Sequence, residues 1–156
     1  MQILSHSVNE TLRIGKKLSR NLKEGDIVCL FGRLGAGKTI LVKGIASGLG
    51  MKKEKVISPT FVFIRQYKTG KSFLYHFDLY RVKEPKEIFA LGYEEYFYND
   101  GITVIEWADR LKYLLPRECL RVELCLKMGT KRLLKFSAIG KHYKKLLENI
   151  HGDIRH

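Results

Sequence analysis

A chain of 156 residues with 45% hydrophobic residues is long enough to bury a real core and too apolar for intrinsic disorder, so one globular domain is expected. No apolar run approaches the length of a membrane span and the N-terminus lacks a signal-peptide pattern, which sets the expected compartment as the cytoplasm and excludes a membrane role. The formal net charge of +13 favours polyanionic neighbours, although the cations are spread along the chain and equally fit a solvated basic face.

In chain order, Gln2-Ile3-Leu4 reads as a short strand. Ser7 followed by Glu10 forms a capping box, opening a helix to about Leu22 with Leu12, Ile14, Leu18 and Leu22 as its apolar stripe. The start of this helix and the Ser5-His6 segment are candidates for the edge of a ligand pocket. Glu24-Gly25-Asp26 turns into the apolar run Ile27 to Phe31, a buried strand. Then comes Gly32-Arg33-Leu34-Gly35-Ala36-Gly37-Lys38-Thr39, a G-x-x-x-x-G-K-T phosphate loop. Its glycines let backbone N–H groups from Gly35 to Thr39 point inward at phosphate oxygens. Lys38 reaches the β and γ phosphates, and the Thr39 hydroxyl suits Mg²⁺. Apolar residues from Ile40 to Leu49 recur at helical spacing, so the loop feeds a helix N-terminus with its partial positive charge. Gly48-Leu49-Gly50 is the stop.

After a charged connector, Ser58-Pro59-Thr60-Phe61 presents Thr60 from a stiffened loop. A threonine there can sense the γ-phosphate and Mg²⁺ as a switch does, or serve an ordinary turn. The segments 61–67 and 72–80 flank 68–71 as a β-hairpin. Period-two alternation puts Leu74, His76, Asp78 and Tyr80 on one side and Tyr75, Phe77 and Leu79 on the core side. His76 and Asp78 are therefore candidates to face phosphates, with a packed histidine and an Asp78–Arg81 ion pair as the plain alternatives. Pro85 to Ala90 is a short helix and Gly92 to Phe97 a further helical turn. The run Ile102 to Glu106 is a buried strand ending in a carboxylate, as in a Walker B element, so Glu106 is a candidate Mg²⁺ holder. Ala108 to Leu115 reads as a helix closed by Pro116. A second hairpin spans 119–127 and 131–137, with Arg132 at its tip either reaching a nucleotide or solvated. A basic helix covers Lys141 to Ile150 and residues 151–156 form a ragged tail, leaving 1–150 as one domain. Cys29, Cys119 and Cys125 have no metal spacing and read as reduced thiols.

The order of the motifs 32–39, 58–61, His76-Phe77-Asp78-Leu79-Tyr80-Arg81 and Ile105-Glu106-Trp107 resembles the TsaE (YjeE) family of bacterial ATPases, from about Ser7 to Ser137. Those ATPases serve the synthesis of threonylcarbamoyladenosine in tRNA. Ala108 departs from the proline that the family often places after Glu-Trp. The resemblance implies an α/β fold: a P-loop NTPase-like three-layer sandwich whose mixed sheet is parallel in its core and antiparallel in its hairpins. It implies an ATP- and Mg²⁺-dependent ATPase acting with TsaD-like and TsaB-like partners, with tRNA reached only through that complex. ATP would be bound by Gly32, Gly35, Ala36, Gly37, Lys38, Thr39, Thr60, Asp78 and Arg132, and Mg²⁺ by Thr39 and Glu106. Lys38, Asp78 and Glu106 would carry the catalysis, with Asp78 orienting the attacking water. Two other readings stay open: a small-molecule kinase, for which no lid insertion is visible, and a nucleotide-gated tRNA-binding module.

Overall fold

The computed structural model describes residues 1–70 and 72–155, with Arg155 described in its backbone only. Lys71, inside the expected hairpin turn, and His156, at the end of the expected tail, lie outside the described residues. The elements are β1 (Gln2–Ser5), α1 (Val8–Ser19), β2 (Ile27–Phe31), α2 (Lys38–Gly48), β3 (Ile64–Thr69), β4 (Ser72–Asp78), α3 (Pro85–Ala90), β5 (Gly101–Glu106), β6 (Cys119–Leu126), β7 (Arg132–Ile139) and α4 (Lys141–Arg155). Short 3₁₀ turns occupy Lys53–Lys55, Tyr93–Glu95 and Ala108–Leu114.

The strands form one seven-stranded sheet in the order β1-β7-β6-β2-β5-β4-β3. Strands β6, β2, β5 and β4 run parallel, while β3, β7 and β1 add antiparallel edges. Strand β2 is central because the run Ile-Val-Cys-Leu is apolar on both faces, as a strand covered on both sides requires. Val28 and Leu30 point to a core shared with Ile14 and Leu18 of α1, Leu41 and Ile45 of α2, and Tyr143, Leu146 and Ile150 of α4. Ile27 and Cys29 point the other way, to Phe77, Val82, Ile88, Phe97 and Leu111. The molecule is thus the expected three-layer α/β sandwich with a mixed sheet. Each fully buried aliphatic side chain in these two cores contributes about 1.5–3 kcal/mol relative to exposure.

Ser7 caps α1 as its spacing predicts, but the reciprocal bond of a capping box is displaced by one residue, from the Ser7 N–H to the His6 N–H. The Glu10 backbone N–H donates to the Ser7 hydroxyl at 3.1 Å, and the Glu10 carboxylate accepts from the His6 N–H at 2.7 Å. The helix ends at Ser19, one turn before the expected Leu22. The strand expected from Phe61 begins only at Ile64, because Pro59 to Phe63 are taken up in a turn in which the Phe63 N–H donates to the Pro59 carbonyl at 2.6 Å. The segment after Trp107 is 3₁₀ rather than α-helical and is kinked at Lys112, whose φ is 50°. The tail expected to be ragged is instead helical as far as Arg155. Ile150 is buried and Ile154 packs on the core, while Lys17 Nζ and Asn21 Nδ2 donate to the carbonyl and carboxylate of Asp153 at 3.0 and 2.8 Å.

Helix α4 is also pinned to the start of β2. The buried Ile27 N–H donates to the Tyr143 hydroxyl at 2.9 Å. Tyr143→Phe removes that acceptor and leaves a buried N–H unpaired, so it is expected to destabilise the fold by about 1–3 kcal/mol, read as a lower urea midpoint with an unchanged m-value.

Candidate functional site

The C-terminal ends of three parallel strands lie level. Asp78, the last residue of β4, pairs in register with Glu106, the last of β5, and Glu106 pairs with Leu30 of β2, two residues before Gly32. Ligands of open α/β sheets bind at this end. The loop from Gly32 climbs out of β2 and closes onto α2, whose cap Gly37 has a φ of 103°. Gly32 also holds a positive φ, 141°, and a Cβ there would stand 2.4 Å from the Leu124 carbonyl oxygen. Only glycine meets both demands.

The resulting cleft, about 270 Å³, is lined by Gly35, Gly37, Lys38 and Thr39 from the loop, Ser58 and Thr60 from the segment before β3, and Asp78, Tyr80, Glu106 and Trp107 from the strand ends. The phosphate loop, the hairpin aspartate and the strand-end glutamate therefore share one cavity. The Thr39 hydroxyl donates to both carboxylate oxygens of Glu106 at 2.9 Å. Lys38 Nζ donates to the carbonyls of Gly32 (2.6 Å) and Arg33 (2.9 Å), and rests 4.0 Å from the ring centre of Trp107. Burial pushes the Lys38 ammonium below the usual lysine range, while Glu106, Asp78 and Asp109 oppose that shift. Asp78 is clamped from three directions. Its Oδ2 accepts from the hydroxyls of Ser58 and, at 2.8 Å, of Thr60, and its Oδ1 accepts from the Tyr80 N–H at 3.0 Å. The plain alternative for Asp78, an ion pair with Arg81, does not form; the Arg81 guanidinium lies over the Phe61 ring instead, 4.1 Å from its centre.

Of the residues expected to bind nucleotide, Gly32 and Ala36 belong to the same loop but border a neighbouring hollow with Glu123 to Leu126. Arg132 is neither at a solvated tip nor in the cleft. It opens β7 opposite Ser5 of β1 and is buried behind the loop, with Nη1 3.1 Å from where a Cβ of Gly37 would stand and 3.4 Å from the Thr11 hydroxyl. Ser5 and Thr11, from the segment expected to edge the pocket, bond to each other at 2.8 Å in this back layer.

Two residues gain a role that spacing alone did not reveal. Ser58 reaches Asp78 beside Thr60, a position two residues earlier on the same loop. His76 does not face the cleft. Its Nε2 lies 2.8 Å from Glu106 Oε1, a contact that period two on β4 hinted at but that needs the parallel β4–β5 register to form.

The donor set fits a hard divalent cation. Thr39, Asp78 and Glu106 offer oxygen only, in one cleft, and Mg²⁺ is commonly held by one or two carboxylates with substrate phosphates and water. The cradle is open as well: a Cβ built on Gly35 meets nothing within 4 Å. Among the described residues no helix is long and apolar enough to cross a membrane.

Known proteins resemble this chain over most of its length. A protein from Bacillus subtilis named tRNA threonylcarbamoyladenosine biosynthesis protein TsaE is 40% identical over 141 residues, covering 90% of this chain and 87% of its own. The protein of the same name from Rickettsia prowazekii is 42% identical over 128 residues, 82% of this chain and 88% of its own. The crystal structure of Bacillus subtilis YdiB superposes with a TM-score of 0.84 at 33% identity, covering 97% of this chain and 94% of that one. The profile described as threonylcarbamoyl adenosine biosynthesis protein TsaE matches residues 5–134, which span the loop, both strand-end carboxylates and Arg132, and the chain belongs to that family.

Proposed function

We propose that this protein is an Mg²⁺-dependent ATPase of tRNA threonylcarbamoyladenosine synthesis, acting with TsaD-like and TsaB-like partners and meeting tRNA through them. The observation that carries the reading is the single cleft shared by the phosphate loop, Asp78 and Glu106. Phosphoryl transfer to water asks a protein for positioning and charge neutralisation rather than covalent chemistry. The N–H groups from Gly35 to Thr39 and the start of α2 hold the phosphates, and Lys38 adds a full positive charge. Thr39 and Glu106 hold Mg²⁺, which when bound offsets charge on the phosphates. Asp78 orients the attacking water. Thr60, already bonded to Asp78, couples the 58–60 segment to whatever occupies the cleft. ATP is favoured over GTP because no Asn-Lys-x-Asp string occurs in the chain. A lone domain of this kind turns over slowly, and a partner completes the site.

Phosphate release from ATP with and without Mg²⁺ tests the reaction. Glu106→Ala is expected to lower the Mg²⁺-dependent rate by on the order of 10²-fold or more. A rate unchanged by that substitution removes Glu106 from the cation site, and release that continues undiminished in EDTA removes the cation. Capture of TsaD-like and TsaB-like proteins from cell extract in ATP but not ADP supports the assignment of partners. ADP formation that requires a small acceptor and leaves the phosphoryl group on it, with no free phosphate released, would replace hydrolysis with kinase chemistry. A steeply salt-dependent affinity of the isolated chain for tRNA would favour the tRNA-binding module.

A further inference from the structure

The His76 side chain is completely buried in β4, away from the cleft. Its single polar contact among the described residues is the 2.8 Å bond to Glu106 Oε1, and Nδ1 has no partner. A carboxylate accepts, so Nε2 is the donor in this bond and Nδ1 is left without a partner. Enclosing an imidazole with one nitrogen unpaired is unfavourable, and an aliphatic side chain would fill the same place in the sheet without that cost. Packing therefore does not account for a histidine here, whereas the bond to Glu106 does.

Glu106 has two holders of different kinds. Thr39 stands at the start of α2 and lines the cleft, so it belongs to the part of the site that meets ligand. His76 stands on β4, paired on both sides by β3 and β5 and in register beside Val104, and its position is set by the sheet. It touches Oε1 and leaves Oε2 alone. Partners behind a metal-binding carboxylate orient it, and their loss commonly weakens metal affinity 10–100-fold. We infer that His76 is a positioning residue that fixes the rotation of the Glu106 carboxylate, so that cation affinity depends on it while the grip of the loop on nucleotide does not. The inference rests on the reading of Glu106 as a cation holder given above.

The test measures Mn²⁺ binding to the full chain by electron paramagnetic resonance at saturating ADP, together with ADP affinity in EDTA. His76→Leu is expected to weaken Mn²⁺ binding by on the order of 10–100-fold and to leave metal-free ADP affinity within about twofold. His76→Gln, which offers an amide donor near the position of Nε2, is expected to recover most of the loss and remains the decisive variant if the leucine protein does not fold. Wild-type Mn²⁺ affinity in His76→Leu overturns the inference. So does an equal loss of metal-free ADP binding, or a glutamine variant that folds but binds Mn²⁺ no better than Glu106→Ala. Glu106→Ala measured alongside separates the two levels. If it too keeps wild-type Mn²⁺ affinity, the cation site itself is wrong; if it alone loses affinity, only the role of His76 fails.

Discussion

Lys38→Ala is expected to lower phosphate release from ATP by on the order of 10²–10³-fold, a loss of about 2.7–4 kcal/mol of transition-state stabilisation. Lys38 is the one cation among the described residues that line the cleft, and only 4% of its surface is exposed. Its ammonium is held by the Gly32 and Arg33 carbonyls and lies above Trp107, so its charge is already aimed along the loop. Burial lowers its pKa, and the nearby carboxylates of Glu106 and Asp78 work against that. The net result is a cation kept where negative charge gathers in the reaction. The two loop carbonyls are only partly buried, so water can replace the lost donor and the fold should survive the substitution. Trp107 is the only tryptophan, which makes its emission a specific second readout. Adding ADP to the wild type should change that emission as the ammonium leaves the ring, and the change should shrink in Lys38→Ala. Phosphate release within about threefold of wild type, from a variant that melts normally, would mean that hydrolysis does not occur at this loop.

What was legible in the sequence was local. The strand, loop and helix around residues 27–48 follow from a short apolar run, a glycine spacing and a helical stripe, all within a few residues of one another. Asp78 and Glu106 were legible singly as strand ends, and their meeting needed the parallel β4–β5 register, which no neighbouring residue encodes. The same limit explains His76, whose partner lies 30 residues away. Spacing alone places Arg132 at the tip of a hairpin, which describes β6 and β7 in isolation. In the fold β1 pairs with β7 through Ser5 and Arg132 and brings the guanidinium behind Gly37. The C-terminal helix runs on past Ile150 because Asp153 finds donors at Lys17 of α1 and at Asn21 just beyond it, more than 130 residues earlier. The Arg132 and C-terminal differences come from long-range contacts overriding a local tendency.

Gly44→Leu is expected to destabilise the protein by on the order of 3 kcal/mol or more, lowering the melting temperature by roughly 6–12 °C. Helices α1 and α2 meet backbone to backbone. A Cβ on Gly44 would stand 2.4 Å from the Leu12 carbonyl oxygen and 3.0 Å from the Gly15 Cα, and a Cβ on Gly15 would stand 2.6 Å from the Leu41 carbonyl oxygen. Neither obstacle is a side chain that can rotate away, so the helices must separate and uncover Ile14, Leu18, Leu41 and Ile45. The sign of a smaller change isolates this cause. Alanine in place of glycine inside a helix ordinarily gains about 0.5–1 kcal/mol. Among the described residues nothing stands within 4 Å of the Cβ position of Gly152 in α4, so Gly152→Ala should show that gain. Gly44→Ala should instead lose stability, because its single methyl already meets the Leu12 carbonyl. Thermal melts of the two alanine variants decide the matter: stabilisation by both would show that the helices can move apart at little cost. The consequence reaches the cleft, since Lys38 and Thr39 form the first turn of α2 and shift with it. A Gly44→Leu protein that still folds is expected to hydrolyse ATP more slowly even though residue 44 lies outside the cleft lining.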